Sequence, residues 1–588
     1  MLARILIVSL LCLLMAARVR AENASPPQTV ATFDQMPKTV TLPDGTLMAF
    51  FHPITGEMRE ATARTSQDNG KTWSDLKTLF TLPDEAGGFG YTLPFIDRAG
   101  ELHLFLLCDA NSGQVRPARG QAPKGLGPLG KLDIWEARTT GQRRSWLPPR
   151  RIWEGRAGDM QSVIQLKSGR ILLPLSYYVP RDWSNRGTNF DAFTWMGSFR
   201  VSALYSDDGG ATWKQSPAAL ETPTTAIGEL GAIEPVAIEL KDGRVWMLIR
   251  TQIGRFYETF SPDGITWTPP QPTNIPSSDS PAGLVRLKDG RILLFVNDCR
   301  RFPYANGGRQ VLHLALSSDE GRTWRGFREI LRDPYRNEPP PPNGDHGVSY
   351  PYPTLLSDGR VLFSLWVATG KTRALTAFDP NWVLETEQQT DFSQGMEDWS
   401  AFGVRGVGLV AHPDKPGRKA LAIRKPEADW PAGAVWNFPA GVSGTLKLRL
   451  QLQPGFAGAL IGLTDHFSAP FDDQDEIYNL FNLKIGSEGR IGQENALKPG
   501  VWHDLELAWD TKAGQCRVTV DGRAVARLRQ TRLGPYVNYL RLRSTAEATD
   551  SAGFLVASVE AQSRPEETAR RPRRASSTQA ANLMQEGQ

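Results

Sequence analysis

Short apolar runs, each preceded by a tight-turn dipeptide, recur along the first two thirds of the chain. The dipeptides are Asp44-Gly45, Ala99-Gly100, Ser168-Gly169, Asp242-Gly243, Asp289-Gly290 and Asp358-Gly359. The runs that follow include Arg244-Val245-Trp246-Met247-Leu248-Ile249 and Arg291-Ile292-Leu293-Leu294-Phe295-Val296. They are rich in β-branched and aliphatic residues and too short for buried helices. Glycine at the second turn position supplies the positive φ that a two-residue hairpin needs. Each dipeptide therefore predicts an antiparallel hairpin.

A second repeat fixes how the hairpins are used. Ser66-x-Asp68-x-Gly70-x-Thr72-Trp73 recurs from Ser206 to Trp213 and from Ser317 to Trp324, and one residue shorter from Ser261 to Trp267. The last three copies lie about 55 residues apart, a period that marks repeated units needing neighbours to bury their faces. Ser and Asp side chains lock such a turn onto backbone N–H groups, and Trp fills the gap between units. A degenerate copy is expected at Thr139 to Trp146. Six hairpins and four of these Asp-boxes predict an all-β fold, a six-bladed β-propeller over residues 32–384. Its last blade lacks a box and is expected to be completed by N-terminal sequence. Asp109 to Lys131 and Tyr177 to Phe199 break the rhythm as insertions, the second rich in aromatics suited either to sugar stacking or to a loop's own small core. Glu338 to Pro342 reads as a stiff polyproline connector.

Beyond Asp391 the pattern changes to alternating strands such as Thr445-Leu446-Lys447-Leu448-Arg449-Leu450 and Cys516-Arg517-Val518-Thr519-Val520, with a turn at Asp521-Gly522. Residues 391–562 are expected to form a β-sandwich of the jelly-roll type. The total of 588 residues exceeds what one core usually holds, in keeping with two domains.

Composition adds less. Residues 1–21 read as a secretory signal, with Arg4, an apolar core from Ile5 to Met15 and a cleavage site at Val19-Arg20-Ala21, too short to span a membrane. A secreted protein, periplasmic or extracellular, is expected, without stable membrane insertion. Residues 563–588 read as a basic and polar disordered tail. The net charge of +4 gives no footing for nucleic acid. Cys108, Cys299 and Cys516 make no disulfide framework: a Cys108–Cys299 bridge and buried free thiols both remain open. No metal-ligand spacing is present and no cofactor is implied; the Asp-boxes read as structural turns rather than calcium loops.

Candidate chemistry follows from the geometry of a propeller, whose innermost strands start together at one face. Eight positions before each turn dipeptide stand Met36, Tyr91, Met160, Glu234, Pro281 and Tyr350, flanked by Gln35, Asp159, Asp279 and Ser280. A buried carboxylate beside a phenol accepts its proton and makes the oxygen nucleophilic, so Glu234 and Tyr350 are the catalytic candidates. Tyr352 is the alternative, two residues on along the same strand face. Arg250 returns to this rim on the hairpin and Arg309 starts from it. Two arginines at one cavity form a carboxylate clamp, or serve structural acids.

At these residues the propeller resembles the sialidase (neuraminidase) superfamily. The segment "E-x4-EL-x-DG" with a following Arg is matched by Glu234 to Gly243 and Arg250. The pattern "R-x2-L-x4-S-x-D-x-G-x-T-W" is matched from Arg309 to Trp324, and "Y-x7-DG" by Tyr350. The resemblance implies hydrolysis of a terminal sialic acid or related acidic sugar, with Tyr350 attacking the anomeric carbon, Glu234 as its base, and Arg250 and Arg309 holding the sugar carboxylate. This is the tyrosine exception to the two-carboxylate scheme. Two positions depart. The family's "R-I-P" is here Gln35-Met36-Pro37, which removes a charge whose loss costs about 2–5 kcal/mol at a buried carboxylate. The family's catalytic Asp has no counterpart between His52 and Glu60, leaving Glu57, Glu60 or Asp159 as the acid and Arg59 as a partial substitute for the arginine. A hydrolase or lyase for another glycan, or a glycan-binding propeller without activity, are the competing readings. The C-terminal unit resembles laminin-G or concanavalin-like domains, which implies glycan binding or a structural role.

Overall fold

The computed structural model describes residues 24–564 apart from 53–58, 110–131, 144, 181–196, 225–230, 300–307, 338–346, 368–372, 402–404 and 470–473. The expected signal segment, Glu57, the polyproline connector and most of both insertions lie outside the described residues, as does the tail beyond Arg564.

Six small antiparallel sheets are arranged as propeller blades. Blade one runs Met36–Thr41, Leu47–His52, Glu60–Ser66 and Lys77–Thr81 from axis to rim. The innermost strands of the later blades are Gly88–Ile96, Ile164–Gln165, Ile233–Glu239, Gly283–Arg286 and Val348–Leu355. The outermost strand of blade six is Gln28–Phe33, which pairs with Arg373–Phe378. N-terminal residues thus complete the last blade, as expected, and tie the ring shut. All six turn glycines have positive φ, from 81° at Gly100 to 96° at Gly169.

The Asp-boxes sit after the third strand of blades one, three, four and five and stitch each blade to the one before. In blade three Asp208 accepts from Thr212 N at 2.8 Å and Thr212 Oγ1 at 2.6 Å, while Ser206 Oγ accepts from Gly210 N at 2.8 Å. Trp213 Nε1 donates to Glu136 Oε2 of blade two at 2.9 Å. A Cβ on Gly321 would stand 2.8 Å from the Trp246 ring of blade four, so this glycine is required both for its φ and for that close approach. The degenerate box of blade two keeps the packing: Trp146 lies 5.0 Å from Phe80 of blade one.

The C-terminal unit is a β-sandwich of one eight-stranded and one seven-stranded sheet. Its core is built from inward residues such as Trp399, Trp436, Leu448, Leu505, Trp509 and Val518. It docks on blade five. Glu329 N donates to Asn437 Oδ1 at 2.9 Å, Asn538 Nδ2 to Phe327 O at 3.0 Å, and Tyr539 Oη lies 2.5 Å from Glu329 Oε1 and 2.6 Å from His313 Nε2. Cys108, Cys299 and Cys516 are separate buried thiols, so the Cys108–Cys299 bridge does not form.

Candidate active site

The innermost strands bring their starting residues to one end of the axis. Two of them, at Glu234 and Tyr350, adopt a left-handed backbone with φ of 48° and 57°. Both sit where strand register slips, between Ile233 and Val236 and between Ser349 and Tyr352. A bulge re-aims a side chain that regular pleating would send elsewhere, and non-glycine residues hold positive φ only when their surroundings impose it. Here both bulges turn their side chains toward each other: Tyr350 Oη donates to Glu234 Oε1 at 2.9 Å.

Arg250, opposite Ile233 in the blade-four hairpin, completes the group. Its Nη1 bonds Glu234 Oε2 and lies 3.1 Å from Tyr350 Oη. Its Nε and Nη2 each lie 2.7 Å from Asp279 Oδ1. Arg250, Glu234 and Asp279 are buried, and Gln252 Nε2 approaches Asp279 Oδ2 at 3.3 Å. Arg309 donates through Nε and Nη2 to the Asp279 carbonyl at 3.1 and 2.7 Å and stands 5.4 Å over the Tyr350 ring.

On the other side of Tyr350 stand Tyr91 of blade two and Asp159, just ahead of blade three. Tyr91 hydrogen-bonds Asp159. Tyr91, Asp159, Tyr350 and Arg309 are each partly accessible, whereas Glu234, Arg250, Asp279 and Tyr352 are buried behind them. The first four are therefore the ones within reach of a ligand, and the others support them.

Blade one contributes a residue that sequence reasoning missed. Lys38 is 1% exposed. Its Nζ lies 3.8 Å from the Tyr352 ring centre and 5.3 Å from that of Tyr91, a cation–π cage. Burial draws its ammonium down to about 7, with Asp159 opposing the shift. Burial pushes the Asp159 carboxyl up to about 7, Glu234 adding to it and Lys38, Tyr91 and Arg250 opposing. Burial, then Glu234, also raises the Tyr350 phenol, against Arg250. Tyr350 is thus a neutral phenol held against a carboxylate, and Asp159 an acid that keeps its proton near neutrality. The signal for Lys38 was a lone lysine two places after Met36, on the same face of an inner strand.

A model of the BNR repeat-like domain matches residues 83–363. The sialidase of Micromonospora viridifaciens is 25% identical over 467 residues, which cover 70% of this chain and 66% of that protein. A Vibrio cholerae sialidase is 29% identical over 154 residues, 22% of this chain and 20% of its own length. The propeller belongs to the sialidase/BNR-repeat superfamily. Among solved structures, a Dyadobacter fermentans protein of unknown function is 18% identical with a TM-score of 0.44, covering 60% of this chain and 98% of its own. Trypanosoma rangeli sialidase is 13% identical with a TM-score of 0.40, covering 90% and 92%.

Within this sialidase-type propeller the expected residues fall into three groups. Glu234, Arg250, Arg309, Tyr350, Tyr352, Asp159 and Asp279 gather at the axis. Tyr352 does not share the Glu234 contact; its Oη accepts from Gln161 Nε2 at 3.2 Å. Gln35 lies half-buried in the bend ahead of blade one's inner strand. Glu60 is exposed at the start of the third strand of blade one, two strands out from the axis. Arg59 does not turn inward: its Nη2 bonds Leu82 O at 2.7 Å and Asp84 Oδ1 at 2.5 Å. The cation that blade one brings near the axis is Lys38, seated under aromatic rings.

Proposed function

We propose that this chain is a secreted retaining exo-glycosidase of the sialidase type. The observation that carries the reading is the 2.9 Å contact between Tyr350 Oη and Glu234, with Arg250 bonded to both. Tyr350 Oη attacks the anomeric carbon while its proton passes to Glu234. Asp159 delivers its proton to the glycosidic oxygen as the carbon–oxygen bond breaks. Water then attacks the glycosyl-tyrosine, giving a proton to Asp159, and Glu234 returns the first proton to the phenolate that leaves. A neutral phenol suits a site in which Glu234 and Asp279 flank a protonated Asp159, because an anionic nucleophile would add a third negative charge.

Terminal sialic acid or a related acidic sugar on a glycoconjugate is the substrate class that the relatives suggest. A second reading, hydrolysis of another glycan, is favoured by the engagement of Arg250 with two carboxylates. Release of a fluorogenic aglycone from an α-linked sialic acid tests the first reading, with Tyr350→Phe and Glu234→Gln measured beside the wild type. Each variant is expected to lose at least about a hundredfold in kcat. Absence of turnover by the wild type retires that sugar, and uronic-acid and neutral glycosides take its place. Turnover of any glycoside that survives in both variants removes Tyr350 and Glu234 as the nucleophile pair.

A further inference from the structure

Asp279 stands where an anionic ligand would be expected to bind. A guanidinium grips a carboxylate best through two N–H groups on one edge. Arg250 turns that edge, Nε and Nη2, to Asp279 Oδ1, both at 2.7 Å. Its Nη1 is taken by Glu234 and the Tyr350 hydroxyl. Three of its five N–H groups are thus hydrogen-bonded, and Nη2 is held in the ion pair with Asp279. Arg309 presents the same kind of edge to the Asp279 carbonyl. Asp279 therefore engages both arginines, Arg250 through its side chain and Arg309 through its backbone carbonyl.

The segment that carries Asp279 is fastened. Ser278 N donates to Asn297 O at 2.7 Å, Ser280 Oγ to Asn297 Oδ1 at 2.6 Å, and Gln252 steadies the second carboxylate oxygen at 3.3 Å. Asp279 is 6% exposed, so solvent offers it little alternative once displaced. A substrate carboxylate reaching Arg250 would have to displace a buried charged partner and leave it unpaired, which is expensive. Lys38 does not restore a clamp, because its ammonium lies beneath the rings of Tyr91 and Tyr352.

We propose that Asp279 is a specificity-determining residue that takes the place of a substrate carboxylate on Arg250, so that the cavity accepts an uncharged glycosyl group in preference to an acidic one. The inference rests on the glycosidase reading for its meaning but is tested by binding alone. The probes are the α-methyl glycoside of N-acetylneuraminic acid and the methyl ester of the same glycoside, which differ in one negative charge. Affinities are measured calorimetrically for the wild type and Asp279→Asn. Asp279→Asn keeps the side-chain shape and is expected to bind the free acid at least about tenfold more tightly than the wild type does, with a smaller change for the ester. A wild type that binds the free acid more tightly than the ester overturns the proposal. So does an Asp279→Asn protein, folded by circular dichroism, that gains nothing for the acid. Should Asp279→Asn fail to fold, the wild-type preference decides by itself: equal or tighter binding of the ester upholds the proposal, and tighter binding of the acid overturns it. Hydrolysis is followed separately with Tyr350→Phe, so a protein that binds as expected but turns nothing over sinks the glycosidase reading and leaves the role of Asp279 standing.

Discussion

Asp159 carries the pH dependence of the proposed reaction. A free carboxyl would be ionised above about 4, but burial and the neighbouring Glu234 keep this one protonated up to about 7. The acid form is therefore present below that pH and lost above it. The alkaline limb of kcat is expected near neutrality for leaving groups that need protonation. Asp159→Asn should abolish the limb and lower kcat about 10²–10⁴-fold for an alkyl aglycone, with a smaller loss for an activated aryl one. Lys38 stabilises the ionised form of the same acid, so Lys38→Met should move the limb upward. A profile unchanged in both variants would remove Asp159 from the acid's role. Glu234, Arg250, Arg309 and Tyr350 were legible because their distances to turns and boxes are fixed by strand length. Lys38 was not, since a lone lysine in a strand reads as solvent-facing until two aromatic rings from other blades close over it.

At the scale of elements, turns do more than reverse the chain. Each box glycine lies against the neighbouring blade, and each box aspartate organises a loop whose tryptophan packs between blades. Asp208→Ala deletes three side-chain hydrogen bonds, to Thr212 N, Thr212 Oγ1 and Ser206 Oγ. The expected cost is about 1–2 kcal/mol in chemical denaturation, because the site is solvent-exposed and water recovers part of the loss. Catalytic constants should not change, since the box follows the strand end opposite the candidate site. A change in kcat without loss of stability would contradict this division. The bulges at Glu234 and Tyr350 show the reverse. Regular alternation predicts strands through both positions, and nothing in alternation announces a left-handed residue. Those slips are imposed by packing at the axis.

Across the whole molecule, the sandwich is fastened to blade five by a buried polar network rather than by a linker alone. Tyr539 Oη joins Glu329 and His313, and Asn437 and Asn538 satisfy the backbone around Phe327. Tyr539→Phe leaves a buried carboxylate short of a partner and should cost about 2–3 kcal/mol. Scanning calorimetry is expected to show one joint transition in the wild type and separated transitions once the junction is weakened. Two transitions already present in the wild type would mean that the domains unfold independently.

The sequence by itself determined the all-β class, the number of blades, the completion of the last blade by N-terminal residues and the identity of most axial residues. These follow from short-range rules: a turn glycine needs positive φ, a box needs its Ser, Asp and Trp, and strands of fixed length return side chains to fixed heights. Tertiary structure alone decided what those side chains touch. That Arg250 spends its hydrogen bonds on Glu234 and Asp279, that Tyr350 rather than Tyr352 meets Glu234, and that Lys38 is caged beneath two tyrosines all depend on contacts between blades far apart in the chain. Such contacts are set by the closing of the ring, which brings distant strands within hydrogen-bond reach and which local pattern does not encode.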